Sequence, residues 1–490
     1  LFRSLFSDLN SIKRGASAFL NGRLISVLAE FLSSIKKALK ERNITAPVAI
    51  VRSDGSLMSE EFAEIHPVET IFCGPSASVV GGVALTDEKD AVIVDMGGTT
   101  TDIGLVRNGI PVKAEDGINI GNWRTFVKGF YVETVGLGGD SAVRYDKYGQ
   151  LYLDTVRVIP LSIAADRWPE IISKLQDLLN MKEKHTVLLH EFFTLVKDIS
   201  NSSLYTEEER QFCEALKKGP LIYSEAASAI GKDVYNFKVD RLEKEGIVMR
   251  CGLTPTDIMH LKGDFNKYCV TAAELGAQFL AGSTGMNVED LCDRVYDIIK
   301  KKLYYNVTSI LLKENMPKFR EPGLCDELKA FIDRSWDISQ GEKSEHLKFG
   351  FTTSSVLIGV GAPIHIFLPD VARALGTTCI IPEQAGVVNA VGAVAGNVSA
   401  SCTLEVRPQD DMFIIYGASK NYLIPELEEA TAIACKEAEN RAREEAIQRG
   451  ASGDIIVNTE VNPVVSQTGY GTEIFLKNII VATAIGKITL

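Results

Sequence analysis

Several familiar signals are missing from this 490-residue chain. No C-x-x-C pair occurs among its nine cysteines (73, 213, 251, 269, 292, 325, 379, 402 and 435), so neither a zinc site nor a disulfide framework is suggested. Scattered and odd in number, they read as free buried thiols in a reducing compartment, and a cytoplasmic location is expected. No run of 18 or more uncharged apolar residues exists, so neither a transmembrane helix nor a membrane partner is expected. Basic charge is not in excess: Lys+Arg 52 against Asp+Glu 64 gives a net charge of -12 and a pI near 5.2. That balance argues against nucleic acid as a partner. No internal repeat of solenoid length is found. The opening LFRSLFSDLN, with no Met, reads as neither a signal peptide nor a tag, and the natural polypeptide is expected to extend upstream of Leu1.

What is present fits ordinary globular protein. Hydrophobic residues are 46% and charged residues 24%, and the length suggests about three domains at roughly 150 residues each. Apolar Leu24, Val27, Leu28, Phe31, Leu32, Ile35 and Leu39 recur at helical spacing, predicting an amphipathic helix over about 20–42. PVAIVRSDGS is a short strand and turn. GPSASVVGG begins a helix rich in small residues, and AVIVDMGGTTTDIGLVRNGIPV reads as strands joined by tight turns. Helical patterns then dominate, at 168–179, 187–196, 207–217, 270–280, 288–303 and 324–337. Residues 220–251 have the spacing of a winged helix-turn-helix, read as structural reuse of that motif because both charge signs are mixed along it. Strand and small-residue helix patterns return from Val356, and a helix over about 425–449 precedes two strand-like runs. The class expected is α/β. The segments are 1–145, 146–350 (mainly helical insertion), 351–400 and 401–490 (a C-terminal α/β appendage).

The stretch from Val92 to Val112 carries the chemistry. Val92, Ile93 and Val94 lead to Asp95; Gly97 and Gly98 open a tight turn; Asp102 follows the threonines 99, 100 and 101; and Asn108-Gly109 is the pair that type I′ hairpins prefer. Glycines at a strand end let backbone N–H groups approach an oxyanion, and threonine hydroxyls add donors. Carboxylates beside phosphates commonly hold Mg²⁺, directly or through water. A bare Gly-Gly hairpin is more often structural, but D-x-G-G-T-T-T-D with a second hairpin behind it points to phosphate binding.

At these residues the sequence resembles the hydantoinase A/5-oxoprolinase family, whose fold is that of the sugar kinase, Hsp70 and actin ATPases. DMGGTTTD looks like that family's second phosphate loop. SDGSLMSEEFAEIHPVETIFCGPSASVVGG (53–82), VETVGLGGDSAVRYDKYGQLYL (132–153), GLTPTDIMHLKG (252–263), VGAPIHIFLPDVARALG (360–376) and IIPEQAGVVNAVGA are similar to further family segments, in the same order. The resemblance covers about 20–400. Three departures stand out: GPSASVV replaces GPAGGVV, LYLDTVRVIP lacks the usual Gly-Pro, and the family's first phosphate loop does not occur.

The resemblance implies a ribonuclease H-like, actin/Hsp70-type ATPase lobe whose partner lobe is not in this chain. It implies ATP and Mg²⁺ as cofactors. Gly97, Gly98, Thr99, Thr100 and Thr101 would meet the phosphates, Gly359 and Gly361 the adenosine, and Asp95 and Asp102 the metal or a water, as catalytic residues. Gly138, Gly139 and Asp140 are candidates for a substrate anion. Asp257 and His260, three apart and so on one helix face, and His365 after the Gly-Ala-Pro turn, are candidates for metal binding, acid–base work or substrate contact. The activity implied is ATP-dependent hydrolysis of a cyclic amide, with a possible B-type subunit and a homo- or hetero-oligomer. The alternatives are an ATP-dependent carboxylase subunit of the same family and a non-catalytic nucleotide-dependent regulator. Cys73 reads as a small core residue, and His66, His185, His190 and His346 as structural or exposed.

Overall fold

The computed structural model describes residues 10–488 except 115–116, 122, 182–186, 201, 342–345, 419, 421 and 468–472; His185 lies outside the described residues. The chain forms two compact units, one of Leu1–Asp90, Gly104–Val132 and Val387–Leu490, the other of Ala91–Ile103 and Glu133–Gly386. Helices and sheets are mixed throughout, as the α/β expectation required. The units run along different lines from the linear segments: Ala91–Ile103 falls with the helical stretch, and the C-terminal residues fall with the N-terminal ones.

In the first unit, the helix Ser11–Glu41 begins earlier than its apolar pattern because the Asn10 side chain accepts from the amides of Ile12 and Lys13. It docks through polar groups: Asn21 Nδ2 donates to the Ile65 carbonyl, Asn21 Oδ1 accepts from Val68 N–H, and Ser17 Oγ accepts from Phe126 N–H. Leu32 is buried, but Val27 and Phe31 of the expected apolar face are more than half exposed. By length and composition alone this helix could cross a bilayer; its polar docking contacts fit a helix seated on protein.

The same unit holds a seven-stranded sheet in which Val398–Gln409 pairs with Glu473–Ile488 on one side and with Met412–Tyr416 on the other, with Ala451–Gln467 outermost. Helix Leu427–Gln448 covers it. Alanines 430, 434, 438, 442 and 446 recur every fourth residue and are fully buried, forming a small-residue ridge that lies against Val398, Ala400, Leu404, Ile480 and Ala482. The small-residue helices Cys73–Leu85 and Val388–Ala395 pack backbone to backbone: a β-carbon on Gly81 would sit 2.2 Å from the Val388 carbonyl oxygen, and one on Gly392 would sit 1.8 Å from that of Ala77. Ser76 and Ser78 have work here. Ser76 Oγ donates to the Ser53 carbonyl at 2.5 Å, and Ser78 Oγ donates to Asn389 Oδ1.

The second unit is built on parallel strands Cys379–Ile380, Val356–Val360 and Ala91–Met96, in that order, with Val356 opposite Ala91 and Val360 opposite Asp95. Val92, Ile93 and Val94 are all buried, so both faces of this strand are covered, which is why VIV reads as an unbroken apolar run. Helices Glu170–Asn180, Glu207–Leu216, Val270–Thr284, Val288–Asn315 and Asp326–Ser339 appear close to their expected places. The helix expected over 187–196 does not form. Phe192–Leu195 is instead a strand, antiparallel to Val248–Gly252 and to Leu221–Ile222, in a four-stranded sheet. Two adjacent phenylalanines alternate across that sheet, and Phe193 meets the rings of Phe212, Tyr223 and Phe237 at 5.2–6.0 Å. The winged-helix spacing of 220–251 is realised as strand, helix Tyr223–Ala229, short helix Asp240–Lys244 and strand, all tied into this sheet.

Candidate functional site

Within the second unit, the strand Ala91–Met96 ends in the turn Gly97–Thr100, closed by Gly97 N–H donating to the Thr100 carbonyl at 2.9 Å. Gly97, Gly98 and Thr99 are exposed and Thr100 half-buried. The return strand starts at Thr101, and its later hairpin carries Asn108 and Gly109 at φ +52° and +77°, as the Asn-Gly pair predicts.

A second glycine turn lies directly against the first. Gly139 N–H donates to the Gly97 carbonyl at 3.1 Å and Asp140 N–H to the Gly98 carbonyl at 2.6 Å. A β-carbon on Gly138 would lie 2.5 Å from the Gly98 carbonyl carbon and 2.7 Å from Thr99 N, closer than any side chain tolerates. Gly139 is capped from behind by Thr256, whose N–H and hydroxyl both donate to the Gly139 carbonyl, at 2.9 and 2.8 Å. The strand-to-helix turn at Gly361 closes on the same place: its φ is +91°, and a β-carbon there would lie 2.2 Å from the Met96 carbonyl oxygen and 3.1 Å from Asp95 Oδ1. Gly97, Gly98, Gly138, Gly139, Gly361 and Asp95 are thus one constellation. The N–H groups of Gly97, Gly138, Gly139 and Gly361 are spent on the Thr100 carbonyl, Ser141 Oγ, the Gly97 carbonyl and the Ala385 carbonyl, so an anion would meet the exposed Gly98–Thr99 rim.

Other expected residues turn out to be employed elsewhere. Thr101 is buried and its hydroxyl donates to the Leu137 carbonyl at 2.7 Å, tying the two turns together, so it offers no donor to a phosphate. Gly359 is buried, and a β-carbon on it would press on Ile364 and Leu368 at 3.1 Å; helix packing, and not an approach to a base, requires glycine there. Asp257 is fully buried at the third position of helix Pro255–Lys262. Its Oδ2 accepts from Leu161 N–H, Thr254 N–H and the Thr254 hydroxyl, and its Oδ1 accepts from Ser162 N–H. Burial raises the pKa of that carboxyl, and these donors oppose the rise. His260 is buried with both nitrogens engaged, Nδ1 on the Thr256 carbonyl at 2.7 Å and Nε2 accepting from Tyr268 N–H at 3.1 Å. Neither has spare capacity for a substrate, and both leave the candidate set. His365 is exposed in the first turn of helix Ile364–Ala374, with Nδ1 on the Ala362 carbonyl. Cys73 is a free thiol whose pKa burial raises, the reverse of what a nucleophile needs.

The two flanking acids form an electrostatic pair. Burial pushes Asp102 up to about 6, the Asp95 charge adds to the rise, and the Thr134 hydroxyl, donating at 2.5 Å, opposes it. A cation between two such carboxylates would relieve the strain. Among the described residues no group of three or more His, Cys, Asp or Glu gathers in a metal-ligating cluster. The pair fits a Mg²⁺ that takes one or two protein carboxylates and completes its shell with phosphate and water, and does not fit an all-protein cage.

Sequence reasoning missed Thr256, Thr134 and Arg157. Arg157 Nε and Nη2 both reach Asp140 Oδ2 at 3.1 Å.

The hydantoinase/oxoprolinase family model matches residues 14–178, the same family that the motifs indicated. A search of curated proteins gives no match. The fold is similar to that of acetone carboxylase, solved nucleotide-free in work on ATP-dependent acetone carboxylation, at 14% identity and a TM-score of 0.55, covering 99% of this chain and 59% of that one. It is also similar to the ATP-dependent caprolactamase from Pseudomonas jessenii, at 14% identity and a TM-score of 0.50, covering 100% of this chain and 60% of that one. The chain therefore spans about three fifths of the length of these two relatives.

Proposed function

Taking the hydantoinase/oxoprolinase match as premise, we propose that this chain is the A-type subunit of an ATP-dependent enzyme that opens a cyclic amide, such as a hydantoin or a 5-oxoproline-like lactam. The observation that carries this reading is the pair of interlocked glycine turns, Gly97–Thr100 and Gly136–Asp140, beside the Asp95–Asp102 pair. This reading takes the second unit as a lobe of the actin/Hsp70 ATPase type. A glycine cradle of this kind holds phosphate by amide donors, so the acidic total of the chain is no obstacle.

A lactam resists water because resonance stabilises the amide. Attack of its carbonyl oxygen on the terminal phosphorus of ATP forms a P–O bond, releases ADP, and leaves an imidate phosphate without that resonance. Water then adds to the carbon, the ring C–N bond breaks with the proton passing to nitrogen, and a second water hydrolyses the resulting acyl phosphate to carboxylate and inorganic phosphate. Gly97, Gly98, Thr99 and Thr100 hold and orient the phosphates; Gly361 lets the chain approach the nucleoside side of the cleft. Asp95 and Asp102 would hold Mg²⁺, which when bound supplies charge neutralisation at the transferring phosphoryl group. Of the histidines taken as candidates, His365 is the exposed one, and it is assigned to substrate contact.

ATP-dependent carboxylation is the second reading, favoured by the likeness to acetone carboxylase, and it shares the phosphoryl-transfer step at the same turns. ADP release measured with Mg-ATP against hydantoin, 5-oxoproline and a ketone with bicarbonate separates them. Stimulation by a cyclic amide supports the hydrolase and stimulation by the ketone pair supports the carboxylase. Turnover that no small molecule stimulates but a protein partner does would overturn both in favour of a regulator.

A further inference from the structure

The strand Leu151–Arg157 breaks register between Leu153 and Arg157, so that Arg157 comes opposite Ser141 and Val158 N–H donates to the Asp140 carbonyl at 3.0 Å. Asp140 is thereby fixed at both ends of its peptide, by this bond and by its own N–H on the Gly98 carbonyl. Only its side chain can move. That side chain lies against the phosphate loop, with Oδ2 2.9 Å and the carboxyl carbon 3.3 Å from the point where a Gly98 β-carbon would be. The carboxylate is held there by two donors of one guanidinium, both on Oδ2. The pair is lopsided in exposure: the Asp140 side chain is 15% exposed and that of Arg157 56%. A negative group pressed on a glycine loop and clamped by an exposed arginine occupies the surroundings that a phosphate would seek.

Resting on the phosphate-binding reading above, we propose that Asp140 is an internal placeholder for the nucleotide's terminal phosphates and that Arg157 exchanges from Asp140 to those phosphates when they bind. The chemistry favours the exchange. An arginine fork matches phosphate oxygens as well as it matches a carboxylate, and phosphate offers it more charge. With its arginine end open to solvent, an ion pair of this kind is worth little, so breaking it is a small obstacle. Burial also raises the pKa of Asp140, with Arg157 opposing, which marks the carboxylate as poorly solvated where it stands.

The test uses the whole chain, with Mg-ATP and inorganic tripolyphosphate as probes and adenosine as the phosphate-free control. Arg157→Gln should weaken Mg-ATP and tripolyphosphate binding about tenfold, Arg157→Lys should fall between it and the parent, and adenosine should not respond. Asp140→Asn should move the affinities the other way, tightening both probes, because it frees the arginine and removes a competing charge. A merely structural ion pair would make both variants shift affinity in the same direction, and that result, or an unchanged Arg157→Gln, overturns the exchange while leaving the cradle standing. Failure of the parent chain to bind either probe overturns the cradle and the exchange together.

Discussion

Gly138 stands so close to Gly98 that a single added carbon would lie 2.5 Å from the Gly98 carbonyl. Two turns 40 residues apart in sequence are thus fitted through their lack of side chains. Gly138→Ala should force them apart, destabilising the second unit by about 1–3 kcal/mol through overpacking and weakening phosphate binding. Gly282→Ala is the contrast within the same unit: it lies in helix Val270–Thr284 with nothing within 4 Å of its added carbon. That variant should stabilise by about 0.5–1 kcal/mol. Urea unfolding of the two variants beside the parent measures both.

The close helix pair of the first unit makes a parallel case. Gly392→Ala would place a carbon 1.8 Å from the Ala77 carbonyl oxygen, so the helices Cys73–Leu85 and Val388–Ala395 must separate. A loss of about 1–3 kcal/mol is expected in chemical denaturation, with phosphate-loop binding left as in the parent.

Much of this was legible beforehand. The D-x-G-G-T-T-T-D run declared its strand, turn and return strand because apolar runs, glycine pairs and Asn-Gly act locally. What the sequence could not show was partnership. Thr101 and Thr99 look alike in a run of threonines, yet one is spent on the Leu137 carbonyl and the other is exposed. Asp257 and His260 share a helix face as their spacing required, but that face turned inward, where backbone N–H groups occupy the carboxylate and a backbone carbonyl and N–H occupy the imidazole. The misread helix at 187–196 failed for a related reason: strand pairing of Phe192 and Phe193 with distant residues 221–222 and 248–252 outweighed a local helical spacing.

His190 supplies a pH dependence. It is fully buried against Phe279, its ring nitrogens are without a hydrogen-bond partner among the described contacts, and burial pushes its pKa down to about 4. The folded state therefore binds fewer protons than the unfolded chain, whose histidine titrates near 6.5. Its contribution is fully present above about pH 6.5 and lost as pH falls toward 4, by on the order of 2–3 kcal/mol. His190→Leu should flatten that acid limb of the stability profile and cost little at pH 7. Thermal unfolding between pH 4 and 7 shows which holds.

Asp257 tests the demotion of a candidate. Asp257→Ala leaves the Leu161, Ser162 and Thr254 amides without their acceptor, so stability should fall by at least about 2 kcal/mol. Tripolyphosphate affinity of the folded fraction should stay within about twofold of the parent, a change worth less than RT. A variant as stable as the parent but inactive would return Asp257 to the chemistry.

The central claim is that the turn after Asp95 holds the phosphates of a metal nucleotide. Equilibrium titration of the parent and Asp95→Asn with Mg-ATP, carried to concentrations on the order of millimolar, tests it most directly. The account predicts saturable binding by the parent and at least a tenfold weaker constant for Asp95→Asn, with adenosine affinity unchanged. Equal Mg-ATP affinity in the two proteins would contradict it.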